Sequence, residues 1–514
     1  MGINLKTTQV PNREQRLGTI IRWEGPASEL VQDSVYTYGG KKPCGTGKSC
    51  GSGGKRLCEL ESPFTQGNMC TECIAVSQAF MIKGSAVVQH APIGCAALQS
   101  MISRLSRDMS IQRGWELKNP HMLCSNLSED DMVFGGLAKL EQSIRDAWER
   151  HHPKVIIVTS SCAVGVIGDN IDSVTQRLEK ELGTIIVPMH CEGFRAKHWS
   201  TGFDISGHAI LRQLVNKHPK KKEEDLVNVL HLGGPDVYTP LLAKLGLRCN
   251  LVMGGATLEM LDRMTSAAAS SAMCTVLSYL SAGLEQEYGV PEIKAPTPYG
   301  LEATDNWLRD VARHTHREDI VEGVIASEHA RIRPQLEALR RDLKGKRGFI
   351  AAGATFAHGL IADLKELGVE VGGVMSFHHD PIYDSNCVEQ DMLAEAIHNY
   401  GDVQNYTVSI SQHFQAHAAI KRARPDFIIA RHSMGALAAR MGVPGAQIRF
   451  FNDGVAYDGL IRIGHLIRRT LATGKFSRSL SPHTSMPYKK WWLEQTNPFI
   501  FADTIGQKET GTYD

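Results

Sequence analysis

Net charge is nearly absent from this sequence: its 514 residues balance to a formal +1, with 22% of them charged. A chain so balanced carries no electrostatic footprint for a polyanion, so nucleic acid is not an expected partner. Also missing is any run approaching the roughly 18 apolar residues that cross a bilayer, and the first residues lack the apolar core of an export signal. Both absences predict no membrane partner and a cytoplasmic location. Met1-Gly2 opens like a myristoylation signal, but Lys6 stands where that motif needs Ser or Thr. There is no short tandem repeat, and no glycine fingerprint follows a first strand, which weighs against a cluster-free dinucleotide enzyme. Lys42-Pro-Cys-Gly-Thr-Gly-Lys-Ser49 ends like a phosphate loop, yet Lys42 stands where the first glycine is required and no strand precedes it. If ATP drives this system, another subunit is expected to hydrolyse it.

What is present is a hydrophobic fraction of 42%, enough to exclude disorder. At about 100 to 200 residues per domain the length predicts several compact units. Residues 1 to 68 read as a poorly structured N-terminal arm, with Gly and Lys crowded between Gly39 and Lys55. From Pro153 onward short apolar runs alternate with helical periodicity, the pattern of strand, turn and helix in a parallel sheet. The clearest strands are Lys154 to Thr159, Thr184 to Pro188, Leu226 to Leu232, Gly348 to Ala352 and Asp426 to Ala430. The expected fold is α/β, with three doubly wound parallel-sheet (Rossmann-like) domains around a central cleft, at residues 69–222, 223–345 and 346–514. In open parallel sheets ligands gather at the carboxyl ends of the strands, so the loops there are the place to seek chemistry.

Twelve cysteines, without an export signal, point to packed thiols, metal ligands or redox groups more than to disulfides. Cys95 lies 25 positions beyond Cys70, too wide for a zinc knuckle, and Cys162 lies a further 67 along, just past a strand. A thiolate at such a strand end, beside small residues and a helix start, suits an electron-rich metal cluster. Taken singly, each of these cysteines reads as a packed thiol. Cys274, in Ala272-Met-Cys-Thr-Val-Leu277, read alone is a buried thiol at an Ala/Ser-rich helix start. Cys44, Cys50 and Cys58 fit no metal spacing and read as free thiols or a redox-responsive clasp.

The surrounding strings change that reading. His90-Ala-Pro-Ile-Gly-Cys95, Ser128-Glu-Asp-Asp-Met-Val-Phe-Gly-Gly136, Ser-Ser-Cys162 with Ile-Gly-Asp169, and Cys191-Glu-Gly-Phe-Arg195 occur in this order. Together they resemble the alpha subunit of nitrogenase and its paralogues, over about residues 65 to 470. The resemblance implies that Cys70, Cys95 and Cys162 are half the ligands of an electron-relay iron-sulfur cluster, an 8Fe-7S P-cluster-like relay or a 4Fe-4S cluster, shared with a homologous beta-type subunit. Cys73 competes with Cys70 for the first role, and Cys124 is an extra thiol nearby; both read as packed. It also implies that Cys274, followed by Glu285-Gln-Glu-Tyr-Gly-Val-Pro291, binds a large iron-sulfur catalytic cofactor in the central cleft. The assembly expected is a heterotetramer of two alpha-type and two beta-type subunits, served by an ATP-dependent homodimeric iron protein.

Several positions depart from dinitrogen fixation. Nitrogenase holds the far end of its cofactor by a histidine after a Gly-hydrophobe-Pro turn; here the turn is Gly442-Val-Pro444 and the aligned position is Arg449, which cannot ligate iron in the usual way. If that alignment slips, Asn452 or Asp453 takes the place. The proton-delivering histidine position becomes Phe203, and Ala352-Gly-Ala-Thr-Phe-Ala-His358 has no Arg for an organic acid, so the cofactor is expected without homocitrate. His198, Trp199, His379 and His432 are the expected catalytic groups, with Phe377, His358 and Arg449 expected at the cofactor beside Cys274. The relative most similar in these respects is methylthio-alkane reductase, which implies reductive C-S cleavage of small thioethers to methanethiol and a hydrocarbon. A cofactor-assembly scaffold is the alternative from another class, and a vanadium or iron-only nitrogenase comes third.

Overall fold

The computed structural model describes residues 3–7, 10, 13–34, 70–97, 100–117, 121–219, 221–380, 391–410, 412–431, 433–449 and 452–500. The expectations for the Lys42 to Ser49 string, for Cys44, Cys50, Cys58 and for His432 lie outside these residues. In chain order the strands are β1 (Arg22–Gly25), β2 (Ser85–His90), β3 (His121–Cys124), β4 (Val155–Ser160), β5 (Ile185–His190), β6 (Glu223–His231), β7 (Arg248–Met253), β8 (Ala267–Ala272), β9 (Arg347–Ala352), β10 (Glu370–Ser376), β11 (Tyr406–Ser409), β12 (Phe427–Ala430) and β13 (Gly445–Gln447). They form three sheets, ordered β3-β2-β4-β5, β7-β6-β8 and β1-β11-β10-β9-β12-β13. Every pairing is parallel except that of β1 with β11. The α/β class and its parallel, doubly wound sheets are as the sequence pattern predicts.

The chain divides into two compact units. The first comprises Met1–Arg16, Met69–Lys294 and Asp310–Glu318 and holds the four- and three-stranded sheets; the second comprises Leu17–Asn68, Ala295–Arg309 and Asp319–Asp514 and holds the six-stranded sheet. A cut near residue 222 falls between the two sheets of the first unit, and one near residue 345 falls just before β9.

In the first unit, β4 is Val-Ile-Ile-Val-Thr-Ser with all six residues buried, because a central parallel strand is covered on both faces. Its apolar side chains meet Leu140, Ile144 and Ala147 from the helix Leu137–His151 and Val174 and Leu178 from the helix Ile171–Leu182. Those spacings of three and four residues put each set on one helix face. The second helix starts at Asn170, whose side chain accepts the Ser173 amide, and stops at Gly183 in the left-handed region at φ 64°. In the second unit, Phe349, Ala351, Met375, Ile428 and Ala430 from the strands pack against Ala416, Ala419 and Ile420 from the helix His413–Ala423.

Two expectations are corrected. Residues 1 to 68 are not uniformly poor in structure: Arg13–Leu17 and Ala27–Ser34 are helices, and β1 pairs antiparallel with β11, with Trp23 only 2% exposed. Four residues are too few for an alternating pattern to stand out in the sequence. The Ala/Ser stretch before Cys274 is the strand β8 and not a helix start. Alanine favours helix by intrinsic propensity, but a strand between β6 and packed helices needs small side chains, and the tertiary demand prevails.

Candidate functional site

Register brings the carboxyl ends of three parallel strands level: His90 of β2 pairs with Ser160 of β4, and Ser160 with His190 of β5. Cys95, Cys162 and the Cys191–Arg195 loop therefore leave the sheet at one end. Cys70 joins them as the cap of the helix Thr71–Phe80, its sulfur accepting the Cys73 amide at 3.5 Å. Gly193 lies between two of the thiols: a Cβ there would sit 3.4 Å from Cys162 Sγ and 3.6 Å from Cys70 Cβ. The loop is thus a cradle that any larger residue would begin to fill.

The electrostatics fit a thiolate-bound cation cluster. The hydrogen bond from Cys73 pulls the Cys70 thiol below its ordinary value, against the opposing effect of burial, while the same contact and burial push the Cys73 thiol up. Of this competing pair, Cys70 is the exposed and more acidic thiol, and Cys73 is buried. Burial pushes the Cys95 thiol up to about 11, and the negative charges of Glu72, Cys70, Cys162 and Cys124 add to it. Thiols gathered this closely can ionise together only with a positively charged centre among them, which is the charge an iron-sulfur cluster supplies. Cys70, Cys95 and Cys162 are the residues that would hold it. Two carboxylates lie beside them unannounced by the sequence. Glu72, pushed up to about 7 by burial, accepts from Gln89 Nε2 at 2.8 Å, and Glu192 accepts from Ser160 Oγ at 3.0 Å. Cys191 is a packed thiol, donating to the Ser160 carbonyl at 3.3 Å and held well above its usual range by burial.

The strings that punctuate the sequence lock together beneath this site. His90 Nδ1 is 2.8 Å from Ser125 Oγ and its Nε2 is 3.0 Å from Asp169 Oδ2, and the Gly136 amide donates to the same carboxylate oxygen at 2.9 Å. A Cβ on Gly136 would stand 2.4 Å from Leu127 Cδ2, so close packing explains the glycine. The segments that carry the thiols, and the helix Glu129–Phe134 packed against the Cys162 helix, bear exposed apolar side chains: Ile93, Val133, Phe134, Val166 and Phe194 are each at least 58% exposed, with Phe134 at 86%.

Cys274 sits differently. It follows β8, is buried, and starts the turn Thr275–Leu277 before the helix Ser278–Tyr288. The Pro291 carbonyl accepts the Ser270 amide at 2.9 Å and the Ile293 amide returns to the Ser270 carbonyl at 2.8 Å, so the string after this helix laces back onto β8. The helix Thr201–Gln213 packs on the Thr275–Leu277 turn. At its start are His198, whose Nδ1 is 2.6 Å from Ser200 Oγ, and Trp199, with ring centroids 4.8 Å from His198 and 6.2 Å from Phe203. All three rings are buried. The Arg13 and Arg16 guanidinium groups meet Asp204 of this helix at 3.3 and 3.0 Å, fully buried, and Arg16 also lies over the Tyr279 ring.

In the second unit, His358 lies within the helix Ala354–Glu366 and His379 just past β10, with ring centroids 5.6 Å apart. Sequence reasoning missed their neighbour Asp391, which caps the helix Met392–Tyr400; nothing near it in the chain signals the meeting. Phe377 packs in the apolar cluster of the six-stranded sheet. Arg449 is exposed, its amide bonded to Asp453 Oδ2 at 2.8 Å, and lines an open basin with Arg462 and Arg468. No helix among the described residues is long and apolar enough to cross a membrane.

Comparison with known proteins places this geometry in context. The family model of nitrogenase component 1 type oxidoreductases matches residues 70–470. The chain is 31% identical over 312 residues to the nitrogenase molybdenum-iron protein alpha chain of Methanosarcina barkeri, covering 58% of each. It is 30% identical over 354 residues to the nitrogenase iron-molybdenum cofactor biosynthesis protein NifE of Clostridium pasteurianum, covering 66% of this chain and 74% of that one. The solved structure of nitrogenase Cp1 at pH 6.5 shares the fold, with a TM-score of 0.66 at 22% identity over 84% of this chain and 92% of that one. Convergent strand-end thiols, the interlocked strings beneath them and a family match over most of the chain lead to one assignment: this chain belongs to the nitrogenase component 1 type oxidoreductase family.

Proposed function

We propose that this chain is an alpha-type subunit that shares an iron-sulfur cluster with a beta-type partner through Cys70, Cys95 and Cys162, and that it receives a larger iron-sulfur cofactor at Cys274 and passes it on, as an assembly scaffold. The observation that carries the first half is the single strand-end face on which three thiols gather beside the Gly193 cradle, ringed by exposed apolar side chains. Such a ring suits burial by a second chain, because contiguous exposed apolar surface marks an interface. The scaffold reading draws support from the similarity to the Clostridium pasteurianum cofactor biosynthesis protein and from Arg449 at the position aligned with a second anchor. A cofactor held by one thiolate and no imidazole is one that can leave.

A specific observation favours a second reading, reductive cleavage of methylthio-alkanes. The buried His198, Trp199 and Phe203 cluster stands on the helix that packs against the Cys274 turn, offering an apolar wall and an imidazole. Such a wall suits a small thioether, and the imidazole suits proton delivery. The reaction consumes two electrons and two protons: the C-S bond breaks, the hydrocarbon carbon takes one proton and the methanethiolate the other. The bound cofactor would supply the electrons, themselves delivered by an ATP-dependent iron protein.

One experiment separates the two. The complex, purified anaerobically with its beta-type partner, is assayed for iron and by electron paramagnetic resonance. It is then given either 2-methylthioethanol with its reductase and ATP, or an apo-acceptor protein. Transfer of cluster iron without methanethiol supports the scaffold, and methanethiol release supports the reductase. A complex free of iron would sink both.

A further inference from the structure

Beyond the cysteine sites, the second unit contains a group of nitrogen and oxygen donors, in which His379, expected as a catalytic group, and His358, expected at the cofactor, meet a carboxylate. We propose that His358, His379 and Asp391 form a mononuclear binding site for a divalent first-row transition-metal ion. One ligand atom from each lies within 4.8 Å of the other two. His358 and His379 are buried, and the Asp391 side chain is 11% exposed. Two imidazoles and one carboxylate are the donor set that such ions prefer, and they leave positions open for water or substrate.

The interior leaves His379 in a state that protein contacts alone do not explain. Both of its ring nitrogens are buried without a hydrogen bond, and Asp391 Oδ2, at 3.5 Å from Nε2, is at the limit of that interaction. Buried polar atoms are almost always partnered, and a metal ion bound between these three side chains would satisfy this imidazole. Its backbone is nevertheless fixed, exchanging hydrogen bonds of 2.7 and 2.9 Å with Ile20.

The other two donors are oriented from behind, as metal ligands generally are. Tyr406 Oη lies 2.7 Å from His358 Nε2, which sets the ring plane, and Asp391 accepts the Leu393 amide at 2.9 Å.

Cobalt(II) titration of the full-length chain tests the site, read by visible absorption and by metal analysis after equilibrium dialysis. With the accessible thiols alkylated beforehand, so that the open face cannot take the ion, the expected result is one cobalt whose d-d bands appear without sulfur-to-metal charge transfer. His379→Gln and Asp391→Asn should each weaken binding by well over 10-fold, Tyr406→Phe by about 10-fold, and Cys274→Ser should leave it unchanged. Circular dichroism checks that each variant folds, and Tyr406→Phe, which keeps the ring packing, serves if the others do not. Failure of the wild-type chain to bind cobalt through nitrogen and oxygen, or binding that survives Asp391→Asn, overturns the proposal. Neither outcome touches the iron-sulfur reading, which is judged by iron at the cysteines.

Discussion

The two thiol regions of the first unit are built on opposite plans. Cys70, Cys95 and Cys162 gather on an open face with exposed apolar neighbours, whereas Cys274 lies behind a helix clamped by a buried arginine-aspartate cluster. On the proposed function, the first plan would leave part of its surroundings to another chain. The second encloses its thiol with residues of its own. Open thiols on a rigid sheet suit a centre divided between two proteins, and an enclosed thiol suits a group held within one.

The sharpest way to break this contrast is to remove a thiol from the open face. Cys162→Ala should abolish most of the iron at the shared site while leaving the melting temperature of the chain nearly unchanged, since the side chain is exposed; iron analysis beside thermal denaturation reads both. On the enclosed side, Asp204→Ala should cost about 3 to 5 kcal/mol, because it strands two buried guanidinium groups. Urea denaturation measures it. Gly202→Ala should cost about 1 to 3 kcal/mol. The new Cβ would stand 2.4 Å from the Thr71 carbonyl oxygen, where two helices cross and backbone cannot yield.

A pH test bears on the rim of the open face. The hydrogen bond that His190 donates to the Asp172 carboxylate, and then the Glu192 carboxylate 3.9 Å away, raise it from its ordinary value of 6.5 to about 9, so folding favours its charged form. Its contribution to stability is complete below pH 6.5 and is lost as pH rises through 9. The urea midpoint should therefore fall across that window in the wild type and fall less in His190→Gln. Smallest in stability is Phe134→Ser, expected within about 0.5 kcal/mol because the ring is 86% exposed. Sedimentation with the beta-type partner should nonetheless show weaker association, and unchanged association would mean that the apolar ring lies outside the interface.

Much of this was legible in the chain itself. The apolar runs of β4 and β12 fall within a residue of their expected bounds, since a strand buried on both faces writes a continuous signal. The ordered strings around Cys95, Gly136, Asp169 and Cys191 were legible as a set, and the structure gives their physical reason: His90, Ser125, Gly136 and Asp169 bond to one another. Less legible were β8, whose alanines and serines carry no strand pattern, and β1, too short to show one.

Composition and strand periodicity by themselves determined the α/β class, and the ordered strings around the cysteines carried the family resemblance and marked the thiols worth attention, because each is a local property or an ordered pattern along the chain. Only the tertiary structure decided that Cys70 and not Cys73 is the acidic thiol, that Glu72 and Glu192 stand beside it, and that Asp391 meets His358 and His379. Those facts depend on burial and on contacts between segments far apart in sequence, and distance in space is not written in residue order.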